Sequence, residues 1–149
     1  MSASESRLGV VIGVIGADVH TVGARVMEMA LDEFGFDVVN LGIQVSQDEF
    51  IDAAIETNAD AVLVSSVYGH GEIDCRGMRD NCKERGIGDI ILFVGGNLVV
   101  GKRDWAETEA IFKGYGFDAA YPPGVEPDQP IEDLKRMILS RRGMKAEKA

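Results

Sequence analysis

The sequence predicts one doubly wound α/β domain, in which helices cover both faces of a five-stranded parallel sheet. Three observations predict it. Short apolar runs alternate with segments of helical periodicity, and the connections between them are too short for a hairpin meander. The 149 residues, 46% of them hydrophobic, suffice for a core. We expect this domain over residues 8–141, between a disordered start (1–7) and a flexible tail (142–149).

The first part of the chain reads as strand, helix, strand. Residues 8–15 (LGVVIGVI) form an apolar run typical of a strand that is covered on both faces. After a loop that contains glycine, four apolar residues recur at helical spacing and predict one buried helix face: Val22, Val26, Met29 and Ala30. Gly35 closes this helix as a C-cap, and residues 36–41 (FDVVNL) read as the second strand.

The middle of the chain repeats this alternation. A capping box of Ser46 and Glu49 opens a helix that extends to about Asn58. Residues 61–67 (AVLVSSV) are the third apolar run, and a helix is expected from the glycine-rich loop that follows it to Arg85.

The last part of the chain supplies two more strands, at residues 90–94 and 119–121. Asp104 caps the helix between them, and an amphipathic helix is expected at residues 131–141, after a proline-rich turn. The strand order that fits this length best is 2-1-3-4-5, the flavodoxin-like, Rossmann-type order. Glycine-bearing loops follow strands 1, 3 and 4, so they open onto the same edge of the sheet.

The charge of the chain excludes several classes of partner. The 25 acidic residues against 15 basic ones give a formal net charge of -10, which repels the phosphates of nucleic acid and anionic membranes. No apolar run approaches the ~20 residues of a membrane span. We therefore expect no nucleic-acid partner and no membrane association.

The two cysteines, Cys75 and Cys82, indicate a reducing compartment. If they share a helix, they lie ~10 Å apart along its axis, which is too far for a disulfide. The first seven residues also lack the apolar core of a signal peptide. A cytoplasmic location is expected.

A polar motif, D-x-H-x-x-G, follows the first strand at Asp18, His20 and Gly23. A neutral imidazole is a good ligand for a transition metal, and a carboxylate two residues away can accept a hydrogen bond from the other ring nitrogen. No second metal ligand has suitable spacing, so the metal would bring most of its own ligands, as in a tetrapyrrole. Alternatively, Asp18 or Thr21 caps the helix, and His20 is a solvated loop residue.

Two other ligand classes of this fold are disfavoured. The glycines of the first loop do not give the G-x-G-x-x-G of a dinucleotide site, and strand 2 ends in Asn40 rather than in a carboxylate. A phosphate-accepting receiver domain needs an acidic cluster, but strand 3 ends in Ser65 and Ser66.

Together, three motifs resemble the cobalamin-binding fold of adenosylcobalamin mutases and methionine synthase. They are D-x-H-x-x-G, Ser65-Ser66-Val67 after strand 3 and Gly95-Gly96 after strand 4. The longer stretches VIGADVHTVG, VSSVYGHGEIDCRGMR and FVGGNLVVGK are similar to the small, cobalamin-binding subunits of glutamate mutase, over residues 8–139. The chain departs from that family at Val67, where the family's S-x-L motif has leucine, and at His70, which replaces a polar amide.

The resemblance implies a cofactor, adenosylcob(III)alamin (coenzyme B12), whose dimethylbenzimidazole base is displaced from cobalt. His20 would be the axial cobalt ligand, supported by Asp18, and Ser65 would offer its hydroxyl to the displaced base. The implied cofactor-binding residues are Ala17, Asp18, Val19, His20, Thr21, Gly23, Ser65, Ser66, Val67, Gly95, Gly96, Asn97, Leu98, Val99, Val100 and Gly101. Gly95 and Gly96 could instead form an ordinary strand-to-helix turn, and His70 is either a titrating interface group or a solvated histidine.

The implied reaction is the radical carbon-skeleton isomerisation of L-glutamate to L-threo-3-methylaspartate, with the radical chemistry supplied by the cofactor. The chain lacks an arginine cluster to clamp the substrate carboxylates, so no catalytic residue beyond cofactor ligation is expected in it. A larger catalytic subunit would bind the substrate, in an assembly of two small and two large subunits. Two alternatives stay open: a corrinoid carrier for methyl transfer, which usually has a helical cap before the first strand, and a non-enzymatic cobalamin sensor, which would need an output domain.

Overall fold

Five parallel strands form the centre of the structure, in the order β2-β1-β3-β4-β5. Their bounds are β1 (Gly9–Val14), β2 (Asp37–Asn40), β3 (Ala61–Ser65), β4 (Ile91–Gly95) and β5 (Ala119–Tyr121). The computed structural model describes residues 7–16, 21–66, 71–99 and 102–148. The predicted fold class and strand order are confirmed.

Helices lie on both faces of this sheet. They are α1 (Val22–Glu33), α2 (Gln47–Thr57), α3 (Gly71–Cys75), α4 (Met78–Glu84), α5 (Trp105–Gly114) and α6 (Asp128–Lys148). Side chains of α1 and α6 pack on one face, and those of α2 to α5 pack on the other. In the part of the chain that is described, no helix is long and apolar enough to cross a membrane.

The apolar runs of the sequence follow from this double coverage. Successive side chains of a strand point to opposite faces. Val10 and Ile12 of β1 therefore contact the layer of α1 and α6, while Val11 contacts the opposite layer. Both positions of the alternation must be apolar in such a strand, so the run is continuous.

The two predicted helix caps are present. The backbone N–H of Glu49 donates to the Ser46 hydroxyl at 3.1 Å, and the Glu49 side chain accepts from the Ser46 N–H at 3.1 Å. The carboxylate of Asp104 accepts from the Glu107 N–H at 2.9 Å. These bonds satisfy amides that the first turns of α2 and α5 leave without a partner within the helix.

The prediction of one continuous helix up to Arg85 is wrong. The segment contains two helices, α3 and α4, because Gly77 between them has a φ of +76°, a left-handed conformation that interrupts helical bonding. Cys75 and Cys82 thus belong to different helices. The predicted separation along one shared helix therefore does not apply, and both residues are buried free thiols.

The predicted buried face of α1 is also wrong, although the helix itself is present. Three of its four residues are largely exposed: Val22 at 77%, Val26 at 48% and Met29 at 66%. The buried residues of α1 are Ala24 and Leu31, at 3% and 0% exposure. These two positions share the opposite helical face with Met27, which is half-buried.

The last helix is longer than the predicted segment 131–141. It begins at Asp128 and continues to Lys148. The Arg142 guanidinium donates to both carboxylate oxygens of Asp60, at 3.1 and 2.7 Å, and to the backbone carbonyl of Arg7 at 2.9 Å. These bonds connect α6 to the amino edge of the sheet, while the domain limits 8–141 stay a prediction.

Candidate functional site

A cavity of about 330 Å³ lies at the carboxyl edge of the sheet, on the face covered by α1 and α6. Leu63 of β3 and Phe93 of β4 line it from the sheet, and Met27 lines it from α1. The volume lies near the lower end of the ~300–1,000 Å³ that ligand pockets occupy. Ligands of open α/β sheets bind at this edge, so the cavity is the candidate site.

The position of the two helices leaves this space open. The first of them, α1, packs on the edge strand β2 and on its neighbour β1, while α6 buries Ile131, Leu134 and Ile138 in the same layer. At the start of α1, Gly23 and Ala24 face the cavity. Because these residues have almost no side chain, the helix does not fill the space above the sheet.

The third side of the cavity comes from the segment for which the sequence predicts only a proline-rich turn. Its lining residues are Tyr121, Pro122, Pro123, Gly124, Val125 and Pro130. Prolines have no backbone N–H, so they present an apolar surface without unsatisfied donors. One signal could have indicated this wall: the segment follows the end of β5, at the same edge as the glycine-bearing loops.

Several predicted site residues line the cavity together: Gly23, Ser65, Gly95, Gly96 and Asn97. Ser65 and Gly95 are the last residues of β3 and β4, and they are partners in the register of the sheet. The loops that begin there are therefore adjacent.

Close approach of these two loops depends on Gly96. Its φ is +117°, which side chains rarely adopt, and a Cβ there would overlap the carbonyl oxygen of Ser66. Glycine thus allows the chain after β4 to pass directly against the chain after β3. The turn is more constrained than an ordinary strand-to-helix connection.

Four other predicted site residues do not line the cavity. Ser66 is fully buried, and its hydroxyl has no hydrogen-bond partner among the described residues. Leu98 belongs to the core of the opposite face, and Val99 is half-buried outside the cavity. Thr21 occupies the N-cap position of α1, as one alternative predicts, but its side chain makes no capping bond.

The remaining predicted residues lie outside the described part of the chain: Ala17, Asp18, Val19, His20, Val67, Val100 and Gly101. His70 lies outside it too. The role of His20 as a metal ligand stays a prediction. Among the residues that are described, no group of three His, Cys, Asp or Glu side chains could hold a metal ion.

Tyr121 is an unpredicted polar residue of the cavity. Its ring packs at a tilt of 54° against Phe93, with 5.6 Å between the ring centroids. Its hydroxyl donates a 2.7 Å hydrogen bond to the carboxylate of Asp133, in α6. Burial, followed by this hydrogen bond, raises the pKa of Tyr121, so the phenol stays protonated and remains a donor.

Comparison with protein families defines the class to which this sheet and cavity belong. Residues 8–121 match the family described as "B12 binding domain". This segment extends from just before β1 to the last residue of β5, so it contains all five strands. The chain therefore belongs to the class of proteins that contain a B12-binding domain.

Similarity to curated relatives narrows this class to one family. Over 128 residues, the chain is 62% identical to the glutamate mutase sigma subunit of Escherichia coli O157:H7, covering 86% of this chain and 83% of that protein. It is 57% identical to the sigma subunit of Carboxydothermus hydrogenoformans, covering 86% and 93%. The chain belongs to the family of glutamate mutase sigma subunits, which confirms the resemblance seen in its motifs.

Similar solved structures support the fold. A cobalamin-binding protein from Desulfitobacterium hafniense DCB-2 matches with a TM-score of 0.73 at 23% identity, over 88% of this chain and 59% of that one. The methanol:cobalamin methyltransferase complex MtaBC from Methanosarcina barkeri matches with 0.69 at 21% identity, over 88% and 46%. A response-regulator receiver domain from Mycobacterium tuberculosis, NarL, also matches with 0.62 at 11% identity, over 89% and 96%. At these identities, the likeness shows the fold alone.

Proposed function

We propose that this chain is the cobalamin-binding subunit of a glutamate mutase, which isomerises L-glutamate to L-threo-3-methylaspartate together with a separate, larger catalytic subunit. One observation carries the proposal: relatives that are 51–62% identical over 85–94% of this chain are named glutamate mutase sigma subunits. The structure contributes the apolar cavity in which part of a cofactor can be held.

The cavity fits a detached, planar aromatic base. Among the described residues, its lining is apolar except for three polar side chains, those of Ser65, Asn97 and Tyr121. Such a lining excludes water from an aromatic ring and offers few groups that need a polar partner. Ser65 is half-buried at the end of β3, and we assign its hydroxyl to a ring nitrogen of the base.

The cofactor that we propose is adenosylcobalamin. When bound, it supplies a cobalt–carbon bond whose homolysis starts the rearrangement of the substrate carbon skeleton. In this chain, His20 would coordinate cobalt through one imidazole nitrogen. Asp18 would accept a hydrogen bond from the other ring nitrogen, which fixes the tautomer and raises the basicity of the ligand. We do not include Ser66 and Leu98 in the site, because both side chains are fully buried and neither lines the cavity.

The proposal extends to the assembly and its location. A larger catalytic subunit would bind the substrate, and two small and two large subunits would form the complex in the cytoplasm. The name sigma subunit, carried by the relatives, supports a partner subunit. The two buried, free cysteines are consistent with a reducing compartment.

The assignment of His20 to the cofactor's cobalt is tested by the absorbance spectrum of the full-length protein with adenosylcobalamin. We expect the spectrum of a cofactor whose base is displaced and whose cobalt is bound by histidine. His20→Ala should lose the histidine coordination. His70→Ala, which removes the other histidine of the chain, is the matched control and should keep it. An unchanged spectrum for His20→Ala would contradict the assignment.

The function is tested by a mutase assay with and without a glutamate mutase large subunit. We expect 3-methylaspartate to form from glutamate only when both subunits and adenosylcobalamin are present. Turnover by this chain alone would contradict the need for a partner. Cobalamin binding without turnover in the complete mixture would contradict the assignment to glutamate mutase.

A further inference from the structure

A hydrogen bond between Tyr121 and Asp133 spans the segment that forms the third side of the cavity. Tyr121 is the last residue of β5, and Asp133 lies in the second turn of α6. Their 2.7 Å bond joins two residues that are twelve positions apart in the sequence. Between them lie Pro122, Pro123, Gly124, Val125 and Pro130, which all line the cavity. The bond therefore connects the two ends of this cavity wall.

Asp133 is held in place for this bond by a second contact. One oxygen of its carboxylate accepts the Tyr121 hydroxyl, while the other accepts from the Arg136 guanidinium at 2.8 Å. The Asp133 side chain is 20% exposed, and that of Arg136 is 73% exposed. Arg136 is thus a solvated partner that orients the carboxylate, and the partly buried bond to Tyr121 connects the carboxylate to the cavity.

The wall has little other polar support. Within the described residues, the backbone bonds of this segment are those from Gln129 to the Glu126 carbonyl, at 3.2 Å, and from Ile131 to the Pro127 carbonyl, at 3.2 Å. Both lie at the start of α6 and not in the stretch of residues 122–125. The sheet holds Tyr121 itself through its pairing with Gly95. Prolines contribute no donors beyond it, so the Tyr121 side-chain bond is the polar contact, among the described residues, that joins this stretch to α6.

We propose that Tyr121 is a positioning residue for the nucleotide part of the cofactor, and that its hydrogen bond to Asp133 holds the wall of residues 121–130 at the width that fits an aromatic base. This inference rests on the proposed function. The Tyr121 ring, supported by Phe93, forms one inner surface of the cavity. Without the bond, β5 and α6 are no longer joined across the wall, so the prolines between them can shift and the cavity loses its fixed width.

Cobinamide is a corrinoid that lacks the nucleotide, so a comparison of cobalamin and cobinamide binding isolates the contribution of the nucleotide. The wall contacts the nucleotide part alone in this proposal, so cobinamide binding should not depend on it. Dissociation constants of the full-length protein for cobalamin and cobinamide, measured by absorbance titration, are therefore compared for each variant. A merely structural role of Tyr121 would change both constants together.

Tyr121→Phe removes the hydroxyl and keeps the ring, and Asp133→Ala removes the acceptor. We expect each to weaken cobalamin binding about three- to tenfold, the range of one intramolecular hydrogen bond, and to leave cobinamide binding unchanged. The double variant should be no weaker than either single one. Asp133→Asn retains an acceptor oxygen and should recover most of the cobalamin affinity that Asp133→Ala loses.

Tyr115→Phe is the matched control, since Tyr115 lies at the end of α5, outside the cavity, and packs on Phe112. It should leave both constants unchanged. Equal losses for cobalamin and cobinamide in Tyr121→Phe, or no loss for either, would overturn this inference and leave the proposed function standing. A wild-type protein that binds no cobalamin would overturn both.

Discussion

The two faces of the sheet differ in how completely they are covered. Side chains from four helices, α2 to α5, close one face, where Phe50, Met78 and Phe112 are fully buried. On the other face, α1 and α6 leave the cavity over the carboxyl ends of β3 and β4. The same strands supply apolar side chains to both layers. The cavity, which is the candidate site, thus lies where helices do not cover the sheet, while the closed face supplies a core that the cavity does not interrupt.

The largest effect is expected on the closed face. Phe112→Ala should lower the free energy of unfolding by about 3–5 kcal/mol, because the removed ring is fully buried and packs edge-on against Phe117 and Tyr115. Urea denaturation measures this loss. Phe34→Ala is the control, since Phe34 is 43% exposed at the end of α1, and it should cost less than 1 kcal/mol. Equal costs would contradict the burial of Phe112 in the core of the closed face.

A smaller loss is expected where the two loops meet at the cavity. Gly96→Ala introduces a side chain at a φ of +117°, where its Cβ would overlap the Ser66 carbonyl. The substitution should lower the free energy of unfolding by about 2–4 kcal/mol. Gly124→Ala is matched in conformation, with a φ of +87°, but a Cβ there meets open space. It should cost only about 1–2 kcal/mol, from backbone strain alone. Similar unfolding free energies for the two variants would show that the loops can separate without loss.

The closed face was the easier one to predict from the sequence. The capping box of Ser46 and Glu49 and the cap of Asp104 are local signals, and the structure contains both. The break at Gly77 was missed because a single glycine within a helical pattern does not by itself indicate a positive φ. The strand order followed from the alternation of elements, which depends on the whole chain and not on one segment.

The cavity was harder to predict, because its walls are distant in sequence. The glycine-bearing loops at Ser65 and Gly95 were identified as neighbours, since parallel strands end at one edge. The wall at residues 121–130 carries no motif, and its bond to Asp133 depends on how α6 packs. In α1, periodicity gave the helix but chose the wrong face, because Ala24 is small and contributes little to an apolar pattern.

The smallest effect is expected on the outer side of α1. Met29 is 66% exposed, so Met29→Ala should change the free energy of unfolding by less than about 0.5 kcal/mol. Leu31, two residues further on, is fully buried against the sheet, and Leu31→Ala should cost about 2–5 kcal/mol. The two substitutions remove side chains of similar size from one helix, so the difference reports which side faces the sheet. If Met29→Ala were the more costly, α1 would be rotated so that its apolar stripe covers the cavity, and the open face would be closed.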